Sequence, residues 1–318
     1  MWIFSPELFD PAVVDTETAA FNHQLETQAG SAPVTLPSAA ALRTARRSGR
    51  SFRGELFRSP RAQTQMIPGP AGDIAMRRFV PDEVTGVYLY LHGGGWAIGG
   101  ADEHDEELEA LAQACRVVVL SVEYRLAPEY PYPAGPDDCE AAAWWLAQNA
   151  ATEYGPVSLF IGGASAGAHL AVVTLLRLRD RHGFTGFAGA NLAYGQYDLN
   201  LTPSARRWEN RPLVLTTSQL EWFISAFAPP DLRAPDVSPL YADLKALPPA
   251  LFTVGTLDPL LDDSLFMGLR WMQAGNVAEL ALYPGCIHGF TALPLALAEH
   301  ARRRMHTFIR NRIASSTP

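Results

Sequence analysis

The chain has 318 residues, 48% of them hydrophobic and 18% charged. That is enough for one large α/β domain with an accessory region, or for two ordinary domains. A net charge of −8 and an isoelectric point near 5.5 argue against nucleic acid or an anionic membrane as partner.

Cys115, Cys139 and Cys286 form no close pair. Reduced, mostly buried thiols in a cytoplasmic protein are expected. No C-x-x-C or H-E-x-x-H spacing supports a metal site. Met1–Glu7 lacks a basic n-region and a long apolar run, so no signal peptide is expected, and no transmembrane run follows.

Residues 1–60 read as two helices, Pro6–Gln28 and Ser38–Arg47, broken at Gly30-Ser31-Ala32-Pro33. Seven arginines between Arg43 and Arg61 read as a solvated helix face and connector. Gln63–Ile67 and Ile74–Val80 suit the first two strands, separated by Pro68-Gly69-Pro70. Val87–Leu91 is continuously apolar, the pattern of a strand covered on both faces. It runs straight into His92-Gly93-Gly94-Gly95-Trp96, where three glycines free the backbone to turn its N–H groups towards a ligand. A helix over Asp102–Cys115 and a buried strand over Arg116–Val122 come next, then a helix opened by Pro136.

Val157–Ile161 is another buried strand, and Ala166–Leu178 reads as a helix buried nearly all round. Between them stands Ser165, flanked by Gly163 and Gly167 at the spacing G-x-S-x-G. A serine at the apex of a tight strand–turn–helix has the geometry of a nucleophile elbow. Side chains two residues to either side would collide there, so glycine is needed. The helix N-terminus brings unpaired N–H groups and a positive dipole end to the serine. Arginines at 177, 179 and 181 suit the other end, and Gly183 suits its cap.

After the strand Phe187–Ala193 the βα alternation breaks. Residues 196–238 hold Trp208, Trp222, Phe223 and Phe227 among several prolines, and read as an insertion covering the active face. Alternation resumes with the strand Ala250–Val254, a helix near Ser264–Ala274 and the strand Glu279–Tyr283, and a helix over Leu295–Ile313 closes the chain. Such alternation means a mostly parallel, doubly wound sheet with its ligand at the carboxyl ends of the strands.

A serine hydroxyl needs a base at hydrogen-bond distance, and the base needs an orienting acid. His288 lies just past a strand end, whereas His300 and His306 sit on the arginine-rich last helix and read as surface or packing residues. Asp258 follows a strand through Gly255-Thr256-Leu257. Asp262 and Asp263, one turn on, read as helix caps or solvent contacts, and Cys286 reads as packing. The order Ser165, Asp258, His288 is that of the α/β-hydrolase triad. Backbone N–H groups after Leu91 and at Ala166 can receive the charge of a tetrahedral intermediate.

On His92-Gly93-Gly94-Gly95, Tyr124-Arg125-Leu126-Ala127-Pro128-Glu129, Gly163-Ala164-Ser165-Ala166-Gly167, Asp258-Pro259-Leu260-Leu261-Asp262 and His288-Gly289-Phe290, the chain resembles the hormone-sensitive lipase family of α/β-hydrolases, in its bacterial esterase branch. The resemblance implies an α/β-hydrolase fold. Its mostly parallel eight-stranded sheet is flanked by helices, with a helical cap built from residues 1–60 and 196–238 over a catalytic domain of 61–195 and 239–318. It implies Ser165 as nucleophile, His288 as base and Asp258 as its orienter. It places the N–H groups of Gly94, Gly95 and Ala166 in an oxyanion hole, with His92 and Gly93 shaping the loop. The family usually carries Asp, Glu or Thr before the serine. Ala164 departs from that, which removes the polar support expected beneath the elbow.

The activity expected is hydrolysis of short to medium acyl carboxylic esters, without cofactor or metal, in a pocket walled by Trp96, Trp208, Trp222 and Phe223. The partner expected is a small ester, with no nucleic acid and no membrane. A homodimer is compatible with the sequence, which leaves oligomeric state open. Amide or carbamate hydrolysis by the same triad is the alternative. A lyase or ligand-binding relative on the same scaffold is another, although a receptor of this family has lost the histidine that His288 supplies here.

Overall fold

The computed structural model describes residues 5–29, 37–49, 55–209 and 211–316. The Gly30–Pro33 turn, Arg50 and Arg53 lie outside them.

Eight strands form one sheet: β1 (Gln63–Gly69), β2 (Gly72–Phe79), β3 (Gly86–Leu91), β4 (Val117–Val122), β5 (Ser158–Ala164), β6 (Phe187–Ala193), β7 (Ala250–Leu257) and β8 (Ala278–Ile287). Their spatial order is β1-β2-β4-β3-β5-β6-β7-β8. β1 and β2 pair antiparallel, as do β2 and β4, while every pair from β4 to β8 is parallel. The helices are α1 (Thr16–Ala29), α2 (Ala39–Arg47), α3 (Asp105–Cys115), α4 (Ala134–Tyr154), α5 (Ala166–His182), α6 (Pro203–Arg207), α7 (Thr217–Phe227), α8 (Leu261–Gln273) and α9 (Ala296–Ser316).

Every residue of β3 and β4 is buried because both faces are covered. Their side chains alternate between two cores. Val87, Leu89, Leu91, Val118, Leu120 and Val122 face the core they share with α4 and α5. Tyr88, Tyr90, Val117 and Val119 meet α3 and α9 on the other face. The chain runs from β3 outward to β4, then returns to place β5 on the other flank of β3. That reversal opens a crevice at the carboxyl ends of β3 and β5. The glycine loop leaves β3 at this point, and Ser165 leaves β5 beside it.

β5 extends through Gly162 and Gly163, past the expected apolar run. A Cβ on Gly162 would lie 2.1 Å from Tyr88 Oη, so only glycine lets the strand continue. The N-terminal reading needs correction. Pro6–Gln28 is two short 3-10 turns, Pro6–Phe9 and Pro11–Val13, before α1 begins at Thr16. Ser5 and Asp10 cap the starts of those turns by accepting the N–H groups of Glu7 and Ala12, and Pro11 holds Asp10 extended, which ends the first turn.

The arginines of this region are not simply solvated. Arg43 donates to the carbonyls of Ala97 and Ala127 at 2.8 and 2.7 Å and pairs with Glu129 at 2.8 Å. Arg46 pairs with buried Glu103 at 2.5 Å, and Arg58 with Asp102 at 2.7 Å. They fasten α2 and the connector to the loop after β3. Among the described residues no helix is long and apolar enough to cross a membrane.

Candidate active site

Ser165 caps α5 with φ 57° and ψ −122°, a backbone conformation that a residue with a side chain adopts only under constraint. The constraint is packing around the turn. A Cβ on Gly163 would come within 2.4 Å of the Leu91 carbonyl oxygen, and one on Gly167 within 1.9 Å of the same atom. The two glycines therefore make room for each other and for the end of β3. Ser165 N–H donates to the Ala193 carbonyl at 2.9 Å, which ties the apex to β6.

β7 and β8 end on the same side of the sheet and deliver the other two groups. The hydroxyl of Ser165 lies 2.9 Å from His288 Nε2, and His288 Nδ1 lies 2.9 and 3.1 Å from the two carboxylate oxygens of Asp258. One tautomer satisfies all of these: Nδ1–H donates to the carboxylate, and Nε2 accepts from the serine hydroxyl. Asp258 is 1% exposed and accepts the Leu260 N–H at 2.8 Å, so both its position and its angle are fixed. Tyr194 packs edge-on against the imidazole at 5.0 Å.

The glycine loop lies on the elbow. A Cβ on Gly93 would be 2.7 Å from the Ala164 carbonyl oxygen. Gly94 and Gly95 have φ of 119° and 56°, and a Cβ on Gly95 would enter the Phe223 ring at 2.2 Å. His92 holds the loop from below. Its Nδ1 donates to the Gly93 carbonyl at 2.9 Å, its ring stacks on Tyr124 at 4.1 Å, and Tyr124 Oη donates to the His92 carbonyl at 2.7 Å. Burial pushes the His92 pKa down to about 4, so the ring is neutral at pH 7.

A cavity of about 300 Å³ stands over Ser165 and His288. α2 contributes Leu42, Ala45 and Arg46, and the stretch from 214 to 223 contributes Val214, Leu215, Gln219, Leu220 and Phe223. Trp96 and Phe223 line this cavity, but Trp208 and Trp222 do not. On α7, Trp222 stands about 100° round the helix from Phe223; it packs edge-on against that ring at 5.1 Å. Trp208 turns towards the α3/α9 core with the Arg211 guanidinium over its ring at 5.4 Å.

Asp262 and Asp263 make no capping hydrogen bond to α8, and only Asp262 keeps some exposure. Asp263 is fully buried and accepts from Tyr197 N–H at 2.6 Å, Asp198 N–H at 2.9 Å and Thr202 Oγ at 2.6 Å. Asp262 accepts the Ser204 N–H at 2.8 Å. Together they pin the base of the 196–238 insertion beside Asp258. The sequence carries no local signal for this, because all four partners are more than 55 residues away. Cys286 is buried, and its thiol is pushed up to about 12, so it holds no thiolate at pH 7. Among the described residues no group of three or more His, Cys, Asp or Glu side chains could hold one metal ion.

Residues 88–292 match the α/β-hydrolase fold family. Carboxylesterase NlhH of Mycobacterium tuberculosis is 34% identical over 83% of this chain and 87% of its own length. Carboxylic ester hydrolase LipN of the same organism is 33% identical over 71% of this chain, which spans 63% of LipN. A hyperthermophilic esterase from the archaeon Pyrobaculum calidifontis superposes with a TM-score of 0.82 at 30% identity, covering 94% of this chain and 98% of that one. The chain belongs to the α/β-hydrolase family, in the branch of the hormone-sensitive lipase-like esterases.

Proposed function

We infer that the protein is a serine carboxylic-ester hydrolase acting through an acyl-enzyme. The observation that carries this reading is the continuous chain from the Ser165 hydroxyl through His288 to Asp258, with heavy-atom separations of 2.9 Å at each link. The relatives named as ester hydrolases support it.

Ser165 Oγ attacks the ester carbonyl carbon while His288 Nε2 takes its proton. Asp258 keeps the imidazole in the accepting tautomer and stabilises the imidazolium that forms. The carbonyl oxygen becomes an oxyanion within reach of the N–H groups of Gly94, Gly95 and Ala166. One such donor is worth roughly 10²–10³ in rate. Collapse of the intermediate breaks the bond to the alcohol oxygen, which leaves with the proton from His288. Water then repeats the sequence on the acyl-enzyme and releases the acid.

A cavity of about 300 Å³ with mostly apolar walls suits short to medium acyl groups. Residues 1–60 and 196–238 act as its cap over the catalytic domain of 61–195 and 239–318. The chemistry draws only on side chains and backbone amides and asks for no cofactor. A panel of p-nitrophenyl acetate, butyrate and octanoate tests the reading, with Ser165→Ala as control. Butyrate and acetate should be cleaved well and octanoate poorly, with Ser165→Ala inactive on all three. Wild-type protein inert to every ester would contradict it.

A further inference from the structure

Beneath the nucleophile elbow lies a second cavity, of about 50 Å³, between the sheet and the helices α3 and α9. Leu108 and Leu111 of α3 and Met305 of α9 form its far wall, and Ala164 forms the near one. It shares Ala164, His104, Tyr194 and Ala292 with the catalytic cavity, so the two spaces adjoin at these four residues.

Alternation along β5 decides which way Ala164 points. Phe160 and Ala164 belong to the α3/α9 core, whereas Ile161 belongs to the opposite one. The Ala164 methyl therefore faces this space, and any larger side chain at 164 would occupy it. Most polar groups of the wall have a partner. Tyr194 Oη and Thr291 Oγ1 are 2.5 Å apart, Arg302 donates to the Thr291 carbonyl, and Tyr90, His104 and Glu107 each have a partner. The surface facing the lumen is mostly apolar. Close-packed interiors keep few voids larger than a water molecule, and an empty one forfeits contacts for its lining. This one lies directly against the residue preceding the nucleophile.

Position then suggests its occupant. An acyl group on Ser165 Oγ places its α-carbon one bond from the carbonyl carbon, beside the Ala164 wall. The main chain of the acyl group follows the larger cavity, so a second substituent on the α-carbon is the group that can turn towards Ala164. A volume of about 50 Å³ takes about three or four water-sized groups.

We propose that this cavity is a branch subsite of the catalytic pocket, which receives a short apolar substituent on the α-carbon of the acyl group and so suits the enzyme to α-branched carboxylic esters. The proposal rests on the esterase reading above. Because one substituent enters each space, the site distinguishes the two enantiomers of an α-branched acid.

The test compares p-nitrophenyl butyrate with each enantiomer of p-nitrophenyl 2-methylbutyrate, using the full chain. Wild-type protein should cleave one enantiomer about tenfold or more better than the other. Ala164→Val fills the space from the elbow and Leu108→Phe from the far wall. Each should lower the kcat/KM ratio of the preferred branched ester to butyrate by about tenfold, the scale of one misplaced methylene or more. Ala164→Gly only enlarges the space and should keep or raise that ratio. It carries the test by itself if circular dichroism shows that the filling variants do not fold. Failure of wild-type protein to cleave butyrate would overturn the esterase reading itself. Cleavage of butyrate with no enantiomer preference, an unchanged ratio in folded filling variants, or a fall in Ala164→Gly would overturn the branch subsite alone.

Discussion

The indole N–H of Trp96 donates to Nδ1 of His169 across 3.1 Å, and Nε2 of the same imidazole donates to the Val237 carbonyl at 2.8 Å. One neutral ring thus joins the glycine loop, the first turn of α5 and the end of the 196–238 insertion. Burial favours that neutral form by pushing the His169 pKa down to about 4. Trp96 itself is 2% exposed and stacks on Phe227 at 4.8 Å.

Trp96→Phe should keep the stacking and lose the hydrogen bond. His169 Nδ1 would then be buried without a donor, at a cost of about 1–3 kcal/mol. The loosened loop should lower kcat more than it changes KM, since in the proposed mechanism its amides act on the charge of the transition state. Urea unfolding and steady-state kinetics on p-nitrophenyl butyrate read both effects. Equal stability and equal kcat would show that the bridge does not hold the loop.

Stability should depend on pH in a way set by buried groups. Burial holds the pKa values of His92, His169 and His306 near 4, against 6.5 for an exposed imidazole. Below 6.5 the unfolded chain takes up protons that the native one refuses. Their contribution is complete above about 6.5 and is lost as pH falls towards about 4. Asp263 runs the other way. Burial raises its pKa from 3.8 to about 7, so its proton is retained in the fold where the unfolded chain has lost it. Its contribution is present below 3.8 and is lost as pH rises through about 7. His169→Gln should flatten the acid limb of the unfolding free energy, measured by urea titration from pH 7 to 4.5. Asp263→Asn should gain on the wild type between pH 4 and 8, and a loss over that range would contradict the sign.

Two neighbouring carboxylates are given different tasks. Asp258 touches His288, while Asp262 touches Ser204 at the base of the insertion. Asp258→Asn should lower kcat by about 10⁴, because the amide supports the wrong imidazole tautomer. Asp262→Asn should cost about tenfold or less, because it acts only through the insertion. The reverse order in a kinetic comparison would exchange the two roles.

The parts of this protein that could be read from sequence are those written in local pattern. β3 is an unbroken apolar run and β4 is apolar but for Ser121, because the sheet is covered on both faces, and that leaves no ambiguity about burial. Ser165, Asp258 and His288 each follow a strand directly, so the α/β alternation already brings them to one edge. What stayed hidden depends on partners distant in the chain. His169 sits in an apolar helix, where no local pattern points to Trp96 and Val237 as its partners. Arg43 and Arg46 have the composition of a solvated face, yet their acceptors are Ala97, Ala127, Glu129 and Glu103. Trp222 and Phe223 are equally aromatic and adjacent, and only the rotation of α7 decides which of them meets the substrate cavity.

The central claim is that Ser165 carries the acyl group, and a p-nitrophenyl alkylphosphonate tests it most directly. The reagent should inactivate the protein with one label per chain, found by peptide mass mapping on Ser165, and Ser165→Ala should take up none. Inactivation with the label on another residue, such as Cys286, or ester hydrolysis that survives stoichiometric labelling of Ser165, would contradict it.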